Sequence, residues 1–220
     1  MNCFDWAKTN GADLNKLCLT LDSTEQEDVY YKYRTVTALQ DISIGETIGF
    51  IPWSLVISES TASNSAIGTA LNTYLNNNPN AMAQVTRNGS DPHSKGLFLL
   101  SIFLVHSRFV ALDSFYAPYL TTLPKKYSLP ICWDPEKADS LLKGTSLFHI
   151  LIKRRELLKL FFEIGKTACS DYLGNAWNEE NLVWAYSVIS SRAFPKSISN
   201  VKTVMPEDLI LSELCLYPGY

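Results

Sequence analysis

The chain has 220 residues, of which 46% are hydrophobic and 12% aromatic, and a formal net charge of −3. This composition is sufficient for a packed core and argues against intrinsic disorder. The net negative charge, without a long run of Lys and Arg, excludes the basic footprint that is typical of nucleic-acid-binding domains. The five cysteines are widely spaced and lack zinc-ligand spacing, so we expect no metal site.

The same features predict a soluble intracellular protein, located in the cytoplasm, the nucleus or both. The N-terminal segment MNCFDWAKTNGADL carries Asp5 early and has no apolar stretch, unlike a secretory signal peptide. The longest apolar run, residues 97–105, falls well short of the ~20 residues that a membrane-spanning helix needs. Scattered cysteines, odd in number, favour a reducing compartment. We therefore expect neither a membrane nor a nucleic acid as a partner.

The first part of the chain is predicted to be rich in strands. Residues 4–8 form a short amphipathic helix, which Asn10-Gly11 ends. Segments rich in Val, Ile, Thr and Tyr then predict three strands, with a turn between the first and the second. The strands span residues 29–36, 47–51 and 55–57, and the turn spans residues 43–46. Pro52 ends the second strand, because proline cannot donate to a ladder of hydrogen bonds.

The pattern changes at residue 58. Ser, Thr and Asn dominate to residue 80, which predicts a loop with one helix at 66–75, and a second polar loop spans residues 86–95. Apolar periodicity predicts further helices, the first of them buried, at 96–108, 136–142, 148–162 and 178–191. Residues 209–217 are predicted to re-enter a sheet. This order of elements predicts an α+β fold in which a helical insertion interrupts a small β region.

Two segments are distinctive, although each has an ordinary structural explanation. Residues 40–52 follow the pattern QDI..GE.....P, which is common in β-hairpins. Residues 114–147 form a bridge that prolines punctuate. The aromatic residues of this bridge are expected to serve packing: Tyr116, Tyr119 and Trp133.

A third segment, WAYSVISSRAF at residues 184–194, is an apolar helix with a single cation near its end. On the residues alone, Trp184 and Val188 belong to a core-facing stripe. Arg192 would then interact with the last carbonyl groups of the helix, as cations do at helix C-termini.

Together these segments resemble SET-domain protein-lysine methyltransferases of the Rubisco large-subunit methyltransferase-like type, which include fungal ribosomal-protein lysine methyltransferases. The family's hairpin has the pattern RDI..GE.....P, which residues 40–52 match apart from Gln40. Its insertion carries the pattern SFWAPYL..LP, which residues 114–124 match apart from Tyr116. The segment WAYSVISSRAF and the opening FDWAKTNGADL also resemble their counterparts in the family.

The resemblance implies which residues form the site. Arg192 matches the family arginine that reaches the methionyl part of S-adenosyl-L-methionine. A guanidinium suits this task because it can hold a carboxylate with a bidentate fork. Arg34 lies between Tyr33 and Thr35, where the family has the two glycines of a cofactor-binding GxG segment. Ser191 and Phe194 match the neighbourhood of the substrate channel.

The resemblance also implies the fold and the activity. The fold would be a SET-type β-rich domain, at residues 1–62 and 184–220, with a mainly helical insertion at residues 63–183. The activity would be S-adenosyl-L-methionine-dependent protein-lysine N-methylation of a ribosomal or other intracellular protein. In the family an Asn-His motif and a catalytic Tyr follow, which we expect to lie beyond residue 220. We therefore expect a C-terminally truncated chain that lacks the last SET strands and a catalytic residue, and that binds the cofactor weakly or not at all.

Two alternatives remain at this point. Besides the methyltransferase, the chain could be a non-catalytic SET-like module that binds a protein partner. It could also be an unrelated helical interaction domain that begins with a β-hairpin. Cofactor binding distinguishes the first alternative from the methyltransferase, and the fold distinguishes the second.

Overall fold

A computed structural model describes residues 2–21, 34–88, 94–195 and 214–216. Residues 19–21, 34, 35, 87, 88, 195 and 214–216 are described by their backbone alone. The helices are α1 Cys3–Thr9, α2 Glu59–Asn64, α3 Ala66–Asn77, α4 Pro79–Asn88, α5 Ser94–Phe109, α6 Ala117–Leu120, α7 Pro135–Leu142, α8 Ser146–Ala168, α9 Ser170–Leu173 and α10 Glu179–Arg192. The strands are β1 Leu17–Leu21, β2 Arg34–Ala38, β3 Ile57–Ser58, β4 Ala193–Pro195 and β5 Leu214–Leu216.

Helix α5 lies at the centre of the core. Nearly every residue from 94 to 105 is buried, as expected for a helix that is apolar on all sides. It packs against α10, α2 and α3. Phe98 of α5 stacks on Phe161 of α8, with 4.3 Å between the ring centroids. None of the helices in the described ranges is both long enough and apolar enough to cross a membrane.

Short polar side chains determine where several helices begin. Each of these residues precedes a helix and accepts a hydrogen bond from a backbone N–H of the first turn, which would otherwise have no partner. The capping residues are Ser58 before α2, Ser65 before α3, Asp134 before α7, Thr145 before α8 and Asn178 before α10.

Strands β1 and β2 form a two-stranded antiparallel sheet, in which Leu17 pairs with Ala38. The predicted turn at residues 43–46 follows, and its backbone closes with a 3.1 Å hydrogen bond from the N–H of Glu46 to the carbonyl of Ser43. The Glu46 carboxylate accepts from the N–H of Ser43 at 2.9 Å and lies 2.6 Å from Nζ of Lys16. These contacts with Lys16 and Ser43 hold the pKa of Glu46 below its usual value.

The second sheet has the order β3-β5-β4, and both pairs are antiparallel. Ile57 pairs with Leu216, and Phe194 pairs with Cys215. The predicted return of residues 209–217 to a sheet is confirmed for residues 214–216. Strand β5 lies between β3, which precedes α2, and β4, which follows α10. The sheet therefore connects the two ends of the helical region.

The described residues are mostly helical, and their strands are short. Among these residues, the β-rich part is smaller than predicted. The predicted strand at 47–51 is wrong, because only Phe50 pairs, in an isolated bridge with Asp13. The predicted strand at 55–57 is a 3-10 turn, Trp53–Leu55, followed by β3. Of the strand predicted at 29–36, residues 34–36 lie in β2, and residues 29–33 lie outside the described ranges.

The helices predicted at 4–8, 66–75, 96–108, 136–142 and 178–191 are confirmed. The helix predicted at 148–162 extends to Ala168, because buried Ile164 and Gly165 continue its core-facing stripe. Helix α2 and both ends of α4 lie where polar composition predicted loops, whereas no element was predicted for residues 81–85 in the middle of α4. Their burial explains the difference, since Ala62 and Val85 are fully buried and tie these polar helices to the core.

Candidate functional site

The candidate site lies where α10 ends and β4 begins. The helix starts at the Asn178 cap, whose side-chain oxygen accepts from the N–H of Asn181 at 2.9 Å. Its buried residues, which include Val188 and Ile189, hold it on the core. At Ala193 the backbone becomes extended, with φ −79° and ψ 140°. This change of conformation places three of the predicted site residues at one boundary: Ser191, Arg192 and Phe194.

Arg192 is held in place by two side chains. Its Nη1 donates to the hydroxyl of Tyr127 at 3.2 Å and to Oγ of Ser191 at 3.0 Å. Its guanidinium carbon also lies 5.6 Å from the centroid of the Tyr127 ring, within the range of a cation–π interaction. These hydrogen bonds go to side chains and not to the last carbonyl groups of α10, so the ordinary explanation of Arg192 as a helix-end cation does not account for it.

The other edge of the guanidinium carries a donor that no described residue pairs. Nε of Arg192 is buried and has no hydrogen-bond partner within the described part of the chain. A buried polar atom is normally paired, because leaving it unpaired costs free energy. Nε and Nη2 lie on the same edge of the planar group, and this edge is suited to a bidentate contact with a carboxylate.

Ser191 contributes to this arrangement as a bridge. Its hydroxyl donates to the carbonyl of Ser187 at 2.6 Å and accepts from Arg192. The side chain of Ser191 is therefore bonded to the last turns of α10 and restricts where the guanidinium can lie. Its own substrate-channel role, which the resemblance implied, stays a prediction.

A second unpartnered donor lies in α6. The side chain of Tyr119 is 2% exposed, and its hydroxyl is buried with no hydrogen-bond partner among the described residues. Burial raises the pKa of this phenol far above its ordinary value. The positive charge of Arg192 acts in the opposite direction, while Tyr127 and Cys3 add to the rise. The charge of half-buried Arg192 therefore acts on the ionisation of the buried Tyr119 phenol.

The remaining predicted residues lie in the strands. Phe194 is half-buried in β4, and its backbone pairs with Cys215 of β5. Arg34 is the first residue of β2 and pairs with Leu21, but its side chain lies outside what the structure describes. The structure thus brings Ser191, Arg192 and Phe194 together, and it leaves the cofactor role of Arg34 a prediction.

Sequence reasoning missed the two tyrosines as site residues. It gave Tyr119 a packing role, which its burial confirms, but the unpaired hydroxyl goes beyond packing. Tyr127 was not singled out. The only signal in the sequence is a polar-tipped aromatic residue within a proline-rich bridge, and the contact with Arg192 spans 65 residues of chain. Only the folded chain reveals it.

A surface depression adjoins this site. It has a volume of about 360 Å³ and is lined by residues that include Tyr127, Lys126, Glu180 and Trp184. A larger groove of about 440 Å³ continues from it between α8 and α10, with a mostly apolar lining that includes Phe162 and Leu182. Within the described ranges, no group of three His, Cys, Asp or Glu side chains is placed to hold a metal ion.

Comparison with known proteins gives the fold. No protein-family model matches the chain. The chain is similar to human SET domain-containing protein 4, with 25% identity over 164 residues, which make up 71% of this chain and 32% of that protein. The chain therefore spans about a third of this relative.

Solved structures match most of the chain. The SET domain of LSMT bound to lysine and AdoHcy superposes with a TM-score of 0.66 over 99% of this chain, at 17% identity. The chain has the SET-domain fold. Rubisco LSMT bound to AdoMet gives a TM-score of 0.64 over 94% of the chain, at 20% identity. The match covers 41% and 43% of those two structures, so the chain spans less than half of each. The similarity excludes the alternative of an unrelated helical domain.

Proposed function

We propose that this chain is part of an S-adenosyl-L-methionine-dependent protein-lysine N-methyltransferase of the Rubisco large-subunit methyltransferase-like type. The observation that carries the proposal is the buried and unpaired Nε of Arg192, located at the end of α10 in a SET-domain fold. The similar structures add support, since they hold AdoMet or AdoHcy, and lysine or monomethyllysine.

The residues of the site fit the amino-acid part of this cofactor. A carboxylate on the Nε edge of Arg192 would pair the buried donor and neutralise the guanidinium in a region of low polarity. Tyr127 and Ser191 already hold the opposite edge through Nη1, so a ligand would not have to displace an existing contact. When bound, S-adenosyl-L-methionine supplies a methyl group on a sulfonium, which is an electrophile for an amine.

Phe194 and Ser191 are the residues that we assign to the acceptor side. Free lysine has a pKa near ~10.4 and is charged at neutral pH, whereas only the neutral amine is a nucleophile. An apolar wall such as the ring of Phe194 disfavours the charged form and so favours the reactive one. We extend the proposal to a ribosomal or other protein acceptor in the cytoplasm or nucleus, and to a helical insertion at residues 63–183.

The test measures the Arg192 side chain directly. In a uniformly ¹⁵N-labelled chain, each arginine gives an Nε–Hε resonance, and the one that disappears in the variant Arg192→Lys belongs to Arg192. We expect this resonance to shift when S-adenosylhomocysteine is added at up to millimolar concentration. Methylthioadenosine, which has no amino-acid carboxylate, should leave it unmoved.

A matched control is Arg108→Lys, since Arg108 also lies in the last turn of a helix but outside this site. This variant should bind S-adenosylhomocysteine like the parent chain, whereas Arg192→Lys should bind at least about 10-fold more weakly, because lysine lacks the bidentate fork. An Arg192 resonance that responds to neither ligand, or equally to both, would contradict the proposal. It would favour the alternative of a non-catalytic module that binds a protein partner.

A further inference from the structure

Tyr119 carries a hydroxyl group that makes no hydrogen bond to any residue that the structure describes. The side chain is 2% exposed, so water does not solvate it, and the oxygen has no hydrogen-bond partner among the described residues. Phenylalanine would fill the same apolar space without this unpaired group. A buried tyrosine hydroxyl usually finds a partner, because its desolvation is otherwise uncompensated.

The position of Tyr119 connects it with Arg192. Tyr119 lies in α6, and Tyr127 lies in the loop that follows it and contacts Arg192 directly at 3.2 Å. Nε of Arg192 is likewise buried and unpaired. The positive charge of the guanidinium lowers the pKa of the Tyr119 phenol, against the larger effect of burial. Two buried donors without partners among the described residues, one cationic and one neutral, therefore act on each other electrostatically.

We propose that Tyr119 is a ligand-binding residue whose hydroxyl donates, together with Nε of Arg192, to one carboxylate of the bound ligand. The proposal rests on the proposed function, and it adds a second donor to the group that would hold the amino-acid part of the cofactor. A carboxylate has two oxygens and about four acceptor positions, so it satisfies both donors at once.

The chemistry of the two groups suits this task. A phenol is protonated at neutral pH, and burial raises the pKa of Tyr119 further, so its hydroxyl is a hydrogen-bond donor and not a competing anion. The guanidinium supplies the single positive charge that one carboxylate neutralises. Tyr127 accepts from Nη1, and Nε stays unpaired among the described residues. The pair would therefore select for ligands with a free carboxylate and disfavour adenosine compounds that lack one.

The test compares two ligands on two variants. S-Adenosylhomocysteine carries the amino-acid carboxylate, and 5′-methylthioadenosine does not. We expect Tyr119→Phe to weaken binding of S-adenosylhomocysteine by about 10-fold, the loss typical of one hydrogen bond to a charged group. Binding of 5′-methylthioadenosine should change by less than about twofold. Tyr116→Phe is the matched control, since it removes a hydroxyl from the same segment that already donates to the carbonyl of Ser54 at 3.4 Å.

The outcomes separate this inference from the proposed function. If the parent chain prefers S-adenosylhomocysteine and Tyr119→Phe keeps that preference, the role of Tyr119 is overturned while the role of Arg192 stands. If the parent chain shows no preference, or binds neither ligand, the proposed function fails and this inference fails with it. Thermal unfolding without ligand gives a further check. Tyr119→Phe should unfold at the same or a higher temperature, and a clear loss of stability would show that the hydroxyl bonds within the protein.

Discussion

The guanidinium of Arg192 and the phenol of Tyr127 make two contacts at once, a 3.2 Å hydrogen bond and a ring contact at 5.6 Å. The two residues come from different parts of the fold, the end of α10 and the bridge between α6 and α7. Tyr127 therefore fixes the plane of a group that would otherwise rotate about several bonds. The orientation of the Nε edge, on which both proposals depend, is a consequence of this tertiary contact.

Substitutions at Tyr127 should separate the hydrogen bond from the ring contact. Tyr127→Phe removes the hydroxyl and keeps the ring, so we expect about 3-fold weaker binding of S-adenosylhomocysteine. Tyr127→Leu removes both contacts and should weaken binding by about 10-fold or more, because a freely moving guanidinium loses entropy when it binds. Calorimetric titration measures both losses. Tyr172→Phe, at a 40% exposed position in α9, is the control, and equal losses in both Tyr127 variants would contradict the role of the ring.

The Cys169 thiol predicts a pH dependence of stability. Burial raises the pKa of this thiol to about 12, whereas an unfolded cysteine ionises near ~8.5. Between these values the unfolded chain releases the proton and the folded chain keeps it, so the free energy of unfolding falls as pH rises. We expect urea denaturation to show this decline above about pH 8.5, and Cys169→Ala to reduce its slope. Cys132→Ala, at an exposed position, should leave the slope unchanged.

Much of the helical part of this fold is predictable because its signals are local. Helix α5 is recognisable from an apolar run, and α10 from the Asn178 cap and the apolar residues that follow. Helix α4 was missed because both its ends have the polar composition of a loop, and the burial of Val85 against the rest of the core decides its structure. The strand predicted at 47–51 was wrong for a related reason. Strand formation depends on a distant partner, and only Phe50 finds one.

In the candidate site too, residues with a local sequence signal are predictable, and residues defined by contacts with distant parts of the chain are not. The motif around Arg192 marked one donor, and the helix-to-strand boundary placed Ser191 and Phe194 beside it. Neither Tyr119 nor Tyr127 carries a local signal, because what distinguishes them is burial and contact with a residue far along the chain. An unpaired buried hydroxyl is a property of the folded state alone.

Gly68 is predicted to be essential for the packing of α2 against α3. A Cβ atom at this position would overlap the carbonyl oxygen of Ala62 and lie 3.0 Å from Cα of Ser63, both in the backbone of α2. Although alanine has a helix propensity better by about 1 kcal/mol, we expect Gly68→Ala to destabilise the protein by about 2 kcal/mol or more. Thr69→Ala, at the exposed neighbouring position, is the control and should be neutral or slightly stabilising. A gain of stability in Gly68→Ala would contradict the close approach of the two helices.

The cap of α10 tests whether the two ends of that helix act independently. Asn178→Ala removes the acceptor for the N–H of Asn181 and should lower the free energy of unfolding by about 1 kcal/mol, whereas Asn178→Asp keeps an acceptor and should cost less. We expect both variants to bind S-adenosylhomocysteine like the parent chain, because Arg192 is held at the opposite end by Tyr127, Ser191 and the pairing of β4 with β5. Chemical denaturation and calorimetric titration measure the two quantities separately. If Asn178→Ala weakened binding as much as Tyr127→Leu, the orientation of Arg192 would depend on the whole helix and not on these local contacts.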